Sequence, residues 1–240
     1  MGQIKNVILD TLFPRHCLGC QIDLIGHDGS YICSDCLINI KIRQGFNCAF
    51  CGAPTTDGKI CPFCKSDHSL DGLLVACSYE ETSVKQLLKY FKYDFIESLA
   101  TNISDLMTKF IRPRISKLGF DNHSLLVTAV PLHWYRLNWR GFNQSELMAR
   151  NISECFDWQS DFRLLKRLAA RTPQADIKDR LQRIKNVENI FSCFDKSEII
   201  GKRILLIDDV STTGSTLDAC AKALKLAGAV EVTGFVFARN

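Results

Sequence analysis

The stretch Ile204-Leu-Leu-Ile-Asp-Asp-Val-Ser-Thr-Thr-Gly-Ser-Thr216 decides how this chain folds. It opens with four apolar residues, the pattern of a strand buried on both faces of a parallel sheet. Two acids, Asp208 and Asp209, close the strand. Ser211, Thr212, Thr213, Gly214, Ser215 and Thr216 then lead into a helix that stops at Gly228. Open α/β sheets bind ligands beyond the carboxyl ends of their strands. A helix amino terminus lined by hydroxyls holds a phosphate with its free N–H groups, and Gly214 lets the backbone come close to it. The two carboxylates lie too near a phosphate to be its ligands; they suit sugar hydroxyls, directly or through Mg²⁺. No Gly-Lys-Ser/Thr is present, which disfavours a nucleoside-triphosphatase P-loop. Paired acids beside Thr-Thr-Gly-Ser-Thr are also too particular for a plain capped βα turn.

Working outward, residues 73–79 read as a strand, and 83–93 and 96–112 as helices, the second ending before Pro113. Residues 125–130 form a short apolar run stopped by Pro131, a second buried strand. Residues 144–155 are helical, 167–178 lack periodicity and read as a loop, and 180–189 are helical again. Residues 203–207, 215–227 and 231–237 complete the series as strand, helix and strand. Strands alternating with helices predict an α/β domain with a mainly parallel sheet flanked by helices. The composition changes near residue 70, so the expected division is a cysteine-rich domain over 1–68 and the α/β domain over 69–240.

The net charge of +4 suits an anionic ligand and falls short of what nucleic acid alone would demand. No apolar run approaches the roughly 18 residues of a membrane span. Residues 1–10 carry a helical stripe, Ile4, Val7 and Ile8, without a signal peptide's apolar region or cleavage site. The expected location is the cytoplasm, where thiols stay reduced and a disulfide framework is not expected.

The twelve cysteines therefore need another explanation. Eight form the pairs Cys17/Cys20, Cys33/Cys36, Cys48/Cys51 and Cys61/Cys64. Cys-x-x-Cys is a tight turn that points two thiolates at one tetrahedral ion, and Gly19 and Gly52 fit such turns. Four tandem pairs favour structural Zn²⁺ over redox chemistry or buried free thiols. A segment of about sixty residues buries little core, and metal supplies the missing stability. Adjacent pairs make two four-cysteine sites most simply, with interleaved pairing left open and His16, His27 and His68 near enough to replace a ligand. Cys77, Cys155, Cys193 and Cys220 sit in apolar contexts and read as core.

Two further elements complete the reading. Val130-Pro-Leu-His-Trp-Tyr-Arg-Leu-Asn-Trp-Arg140 brings His133, Arg136 and Arg140 together after a buried strand. Arg171-Thr-Pro-Gln-Ala175 is followed by Arg180, Arg183 and Asn186. The 204–216 segment resembles the phosphoribosyl-pyrophosphate (PRPP) signature of type I phosphoribosyltransferases. That resemblance implies that Asp208 and Asp209 bind the ribose hydroxyls and residues 211–216 cradle the 5′-phosphate, although Ser211 stands where the family usually has an apolar residue. It further implies that Pro131, Leu132, His133 and Arg136, with Arg140, grip the pyrophosphate. The segment at Arg171 resembles the mobile lid of amidophosphoribosyltransferases, which makes Arg171 a catalytic candidate. In this order, together with Leu88-Lys-Tyr90 and Arg140-Gly-Phe-Asn-Gln144, the features resemble the ComF/GntX family. This implies a double zinc ribbon joined to a phosphoribosyltransferase domain. It also implies PRPP with Mg²⁺ and a role in natural competence on incoming single-stranded DNA, alongside other competence proteins.

Two functions compete. An enzyme would displace pyrophosphate from PRPP with an acceptor that no visible base-recognition segment identifies. An amidophosphoribosyltransferase proper needs a glutaminase half with an amino-terminal cysteine, and neither is here. A non-catalytic protein would sense PRPP and use the ribbon to dock protein or nucleic acid. Lys41, Arg43, Lys59 and Lys65 supply modest charge for that, and Phe46, Phe50 and Phe63 candidate stacking surfaces.

Overall fold

The computed structural model describes residues 15–24, 31–120, 124–168, 190–194 and 197–239. The opening stripe, His27, the Arg171 segment and the expected helix at 180–189 lie outside them.

A five-stranded parallel sheet forms the centre, from β3 (Gly72–Ser78), β4 (Leu125–Ala129), β5 (Gln159–Ser160), β8 (Arg203–Ser211) and β9 (Glu231–Arg239). The order across the sheet is β3-β9-β8-β4-β5, with every pairing parallel. Two antiparallel ribbons stand apart from it. β1 (Phe46–Asn47) pairs with β2 (Pro54–Thr55), and β6 (Leu165–Arg167) with β7 (Phe191–Cys193). Strands of two or three residues leave no readable alternation, so the sequence reading passed over β5, β6 and β7.

Side chains alternate along the strands, and so the sheet has two cores. On one face Leu74, Val127, Leu205, Ile207, Phe235 and Phe237 pack against α3 (Thr82–Tyr93), α4 (Leu99–Ile111) and α7 (Gln144–Phe156). Helix α3 buries Val84, Leu87, Leu88 and Phe91, spacings of three and four that put all of them on one stripe. On the other face Leu73, Val75, Leu126, Ile204, Leu206 and Val236 meet Leu217, Cys220, Ala221 and Leu224 of α8 (Ser215–Leu226).

The two cysteine clusters divide between these cores. Cys17 and Cys33 join the first, with Leu24, Ile32 and Ile40. Cys48 and Cys64 join the second, with Ile60 and Leu70. Each region carries a short helix next to its cysteines, α1 (Ser34–Ile38) and α2 (Pro62–Lys65).

Three expectations need correction. The segment after β4, where the sequence predicts no helix before residue 144, turns into a helix at α6 (Trp134–Arg140), which follows the turn α5 (Ile115–Leu118) in the helix series. It was hard to see because Trp134, Tyr135, Leu137 and Trp139 are all exposed, so no buried stripe marks it. The strand expected at 203–207 runs on to Ser211 through pairing with β9. Cys155, expected in the core, is exposed. It sits in the last turn of α7, past the buried positions that end at Ser153, where the Arg112 guanidinium donates to its sulfur at 3.1 Å. Cys77 and Cys220 are buried as expected, and Cys193 is half-buried.

Candidate functional site

Strand β8 outlasts β4. Their pairing ends at Ala129↔Ile207, while β9 stays paired as far as Arg239↔Ser211. Asp208 and Asp209 thus stand where β8 has lost its neighbour on one side. The Val130 N–H still donates to the Ile207 carbonyl at 2.9 Å, so the chain leaving β4 starts beside Asp208. From here it runs outward to β5, whereas the chain leaving β8 runs the other way to β9. Such a switch point opens a crevice at the carboxyl ends of the two strands.

The two acids have different surroundings. Asp208 Oδ1 accepts from Ser145 Oγ at 2.8 Å and from the Asp209 N–H at 2.9 Å. Burial pushes the Asp208 carboxyl up to about 7, and the neighbouring Asp209 charge pushes the same way, against the Ser145 and Asp209 hydrogen bonds and the Lys92 charge. Asp209 instead forms an ion pair with Lys92 of α3 at 2.9 Å. Arg140 lies within electrostatic reach of Asp209. Burial holds its guanidinium below the ordinary value, the Asp209 charge opposes that, and Arg136 adds repulsion. Its Nη1 donates to Gln144 Oε1 at 3.1 Å, while Nε is buried without a hydrogen-bond partner.

Asp208, Val210 and residues 211–217 line one concavity. Gly214 caps α8 at φ +82°, a left-handed conformation that glycine tolerates best. Thr213 and Ser215 share a hydroxyl–hydroxyl hydrogen bond, and Thr212, Thr213, Ser215 and Thr216 are exposed at the helix amino terminus. Ser211 differs: it is buried against the sheet and its Oγ has no partner. The N–H groups and surface hydroxyls at the start of a helix this long offer donors of the kind that suit an anion.

Of the residues expected to form one group, Asp208 and residues 211–216 share one concavity, while Asp209 stands beside it, paired with Lys92. Pro131, Leu132 and His133 follow β4 at its edge, and His133 caps α6 by accepting from the Tyr135 N–H at 3.3 Å. Arg136 is exposed on α6, and Arg140 is the arginine whose charge interacts with Asp209. Arg171 lies outside the described residues. Lys92 and Ser145 were missed. A signal existed for Lys92, a lone basic residue in the last turn of a helix with an apolar stripe. For Ser145 the signal was weaker: a hydroxyl directly after the cap Asn143 and Gln144, on the buried side of α7.

The cysteines gather from adjacent pairs, Cys17/Cys20/Cys33/Cys36 and Cys48/Cys51/Cys61/Cys64, with all four sulfurs of each set within 4.8 Å of one another. Cys20 and Cys33 sulfurs stand 3.7 Å apart, and Cys51 and Cys61 sulfurs 3.6 Å. A tetrahedron with Zn–S bonds of about 2.3 Å has edges of about 3.8 Å, so the donor sets fit zinc. Burial alone would raise the Cys17 thiol, but N–H groups of Cys20, Cys33 and Gly19 outweigh it and take it down to about 6. Cys48 is drawn down to about 6 in the same way, by N–H groups of Cys51, Phe50 and Cys61 against its burial. These are two structural Zn²⁺ sites, each offering one thiol already inclined to ionise.

No histidine joins the described clusters: His16 faces Asp23 at 2.7 Å and His68 faces Asp218 at 3.0 Å. The expected stacking surface on the ribbon also dissolves. Phe46 is buried edge-on against Phe110, and Phe50 lies flat on His68. Only Phe63, at 88% exposure, still faces solvent freely.

Fold and site together define a phosphoribosyltransferase domain preceded by a double zinc ribbon. The chain matches the double zinc ribbon domain over residues 8–65 and the phosphoribosyl transferase domain over residues 124–240. It is 31% identical to competence protein ComFC of Bacillus subtilis over 218 residues, 87% of this chain and 84% of that protein. Competence protein F of Haemophilus influenzae is 29% identical over 236 residues, covering 95% of this chain and 99% of its own. DNA utilization protein YhgH of Escherichia coli O157:H7 is 29% identical over 230 residues, 95% and 98% of the two chains. The chain belongs to the ComF/GntX family. The solved structure of the allosteric regulatory enzyme of purine biosynthesis matches over 59% of this chain and 26% of that one, at 19% identity and a TM-score of 0.40. No described helix is long and apolar enough to cross a membrane.

Proposed function

We propose that this protein binds PRPP with Mg²⁺ at the turn from β8 to α8 and serves natural competence by handling incoming single-stranded DNA in the cytoplasm. The observation that carries the PRPP reading is the pair Asp208–Asp209 on the free edge of β8, followed at once by the hydroxyl-lined start of α8. The carboxylates accept the ribose 2- and 3-hydroxyls; residues 211–216 receive the 5′-phosphate; Arg140 and residues 131–133 face the pyrophosphate. Mg²⁺, bound with PRPP, neutralises pyrophosphate charge. Lys92 holds Asp209 in place, and Ser145 does the same for Asp208. The proposal extends to Arg171 as a catalytic residue, on the resemblance of its sequence to the amidophosphoribosyltransferase lid. The ribbon ends near residue 68, and the remainder is the phosphoribosyl unit. The competence role is supported by the names and near full-length coverage of the relatives.

Titration of the protein with PRPP, with and without Mg²⁺, tests the binding: saturable heat that needs the metal supports it, and no heat at millimolar PRPP rejects it. A pyrophosphate-release assay with single-stranded DNA and free bases then separates two roles. Release makes the protein a phosphoribosyltransferase; binding without release makes it a PRPP sensor.

A further inference from the structure

The second cysteine cluster touches the phosphate loop, and the first does not. Phe50, inside the turn between Cys48 and Cys51, stacks on the His68 imidazole with ring centres 3.3 Å apart and planes 5° apart. The edge of the same ring lies 3.3 Å from where a Cβ on Gly214 would stand, and the Ala49 carbonyl lies 3.6 Å from it. Gly214 thus serves twice: it takes the left-handed conformation that starts α8, and it leaves room for the knuckle to lie on the loop.

Two further ties connect the same parts. His68 Nδ1 meets Asp218 Oδ2 at 3.0 Å, and Asp218 Oδ1 accepts from the Ser69 and Leu70 N–H groups at 2.8 and 2.9 Å. Asp218 lies in the first turn of α8, and its N–H donates to the Gly214 carbonyl. Arg239 donates to the Cys48 and Ala49 carbonyls at 3.1 and 2.6 Å, and in the sheet it is the partner of Ser211. The loop is therefore gripped at its beginning, through Ser211 and Arg239, and at its end, through Gly214 and Asp218. Both grips close on one metal knuckle. The first cluster packs on the opposite core and reaches the α/β unit through Ile42, bridged to Cys77 on the β3 edge.

We propose that the Cys48/Cys51/Cys61/Cys64 site is a positioning element of the phosphate loop, with Phe50, His68 and Asp218 carrying the metal-held shape of the knuckle to residues 211–216. The inference rests on the reading of that loop as a phosphate site, but its first consequence is conformational and needs no ligand. A loop held from outside its own sequence is pre-organised, and its amides open less often. Losing the knuckle's grip frees the loop while the sheet beneath keeps its hydrogen bonds.

Hydrogen exchange on the full-length, zinc-loaded protein tests this. In Phe50→Ala the amides of residues 218–220, the first to be hydrogen-bonded in α8, exchange about tenfold faster, on the scale of one lost aromatic stack, while those of β3 keep their wild-type rate. Zinc stays at two per chain, and Phe50→Tyr restores slow exchange. PRPP affinity in Phe50→Ala falls by about the same factor. Wild-type exchange at 218–220 in Phe50→Ala, with both metals retained, overturns the proposal. Should Phe50→Ala fail to fold, Asp218→Asn, which leaves the knuckle itself intact, decides in the same way: faster exchange at 218–220 supports the coupling and unchanged exchange rejects it. If the loop responds but the wild type binds no PRPP, the coupling stands and the PRPP reading falls. If PRPP binds and the loop does not respond, the reverse holds.

Discussion

The two cysteine sites are built from the same units, two Cys-x-x-Cys turns each, with sulfurs at nearly the same spacing. Their neighbours differ. Cys17 and Cys33 sit in the core on the face with α3, α4 and α7, beside the outer strand β3. Cys48 and Cys64 sit on the face with α8, and the turn between Cys48 and Cys51 lies against Gly214. Identical metal chemistry therefore does different work on the two sides of one sheet. The first site supplies stability to a segment too small to fold on a core of its own. The second supplies stability and, on the reading proposed above, also a wall for the loop at 211–216. A motif specifies an ion; what the ion serves depends on what its knuckle touches.

Removing one ligand from each site is the strongest way to break that contrast. Cys20→Ser and Cys51→Ser each remove an exposed ligand, and each should lower zinc from about two to about one per chain by metal analysis. Structural zinc contributes several kcal/mol to small ribbons, so both variants should melt at clearly lower temperature. Only Cys51→Ser should weaken PRPP binding beyond what its lower stability explains, by about tenfold or more. Equal loss of binding in the two variants would erase the distinction between the sites.

A smaller effect sharpens the chemistry beside the second site. The Asp208 carboxyl is raised to about 7 in the folded protein, chiefly by burial, against an ordinary value of about 4 when unfolded. Between these values the folded state holds the proton more tightly, so this residue's contribution to stability declines as pH rises from about 4 to about 7. Asp208→Asn abolishes that decline. Thermal melts at pH 5 and pH 8 should show the variant gaining about 5–10 °C on the wild type at the higher pH, the shift expected for about 2.5 kcal/mol. A constant difference at both pH values would mean that Asp208 is ionised throughout.

The smallest effect is expected at the end of α7 opposite Ser145. Cys155 is exposed at the end of α7, so Cys155→Ala should change stability by no more than about 0.5 kcal/mol in a denaturant titration, and PRPP binding not at all.

What could be read from sequence follows the range of the interactions. The β8–α8 turn and the cysteine knuckles are local: apolar run, acids, hydroxyls and glycine lie within thirteen consecutive positions, and each knuckle within four. Adjacent pairing of the knuckles was the simplest reading and is the one found. The pairing of Asp209 with Lys92 joins β8 to α3, and the sequence marks Lys92 only as a basic residue in the last turn of its helix, without naming its partner. Phe50 looked like a free stacking surface because its partner His68 and its support Gly214 are far along the chain. Helix α6 escaped because its aromatic residues face outward, where periodicity carries no burial signal.

The double substitution Asp208→Asn with Asp209→Asn tests the central claim most directly, read by calorimetric titration with PRPP and Mg²⁺ alongside thermal melting. A carboxylate accepts the ribose hydroxyl bonds, and attracts Mg²⁺, more strongly than an amide. Each charged hydrogen bond is worth roughly 1.5–3 kcal/mol, so the pair should cost about 3–6 kcal/mol, more than a hundredfold in affinity. The fold should survive. Relief of the buried Asp208 charge and of the repulsion between the acids offsets the loss of the Asp209–Lys92 pair, leaving the melting temperature within about 4 °C of wild type. Binding of PRPP at wild-type affinity by the folded double variant would contradict the assignment of this turn as the phosphoribosyl site.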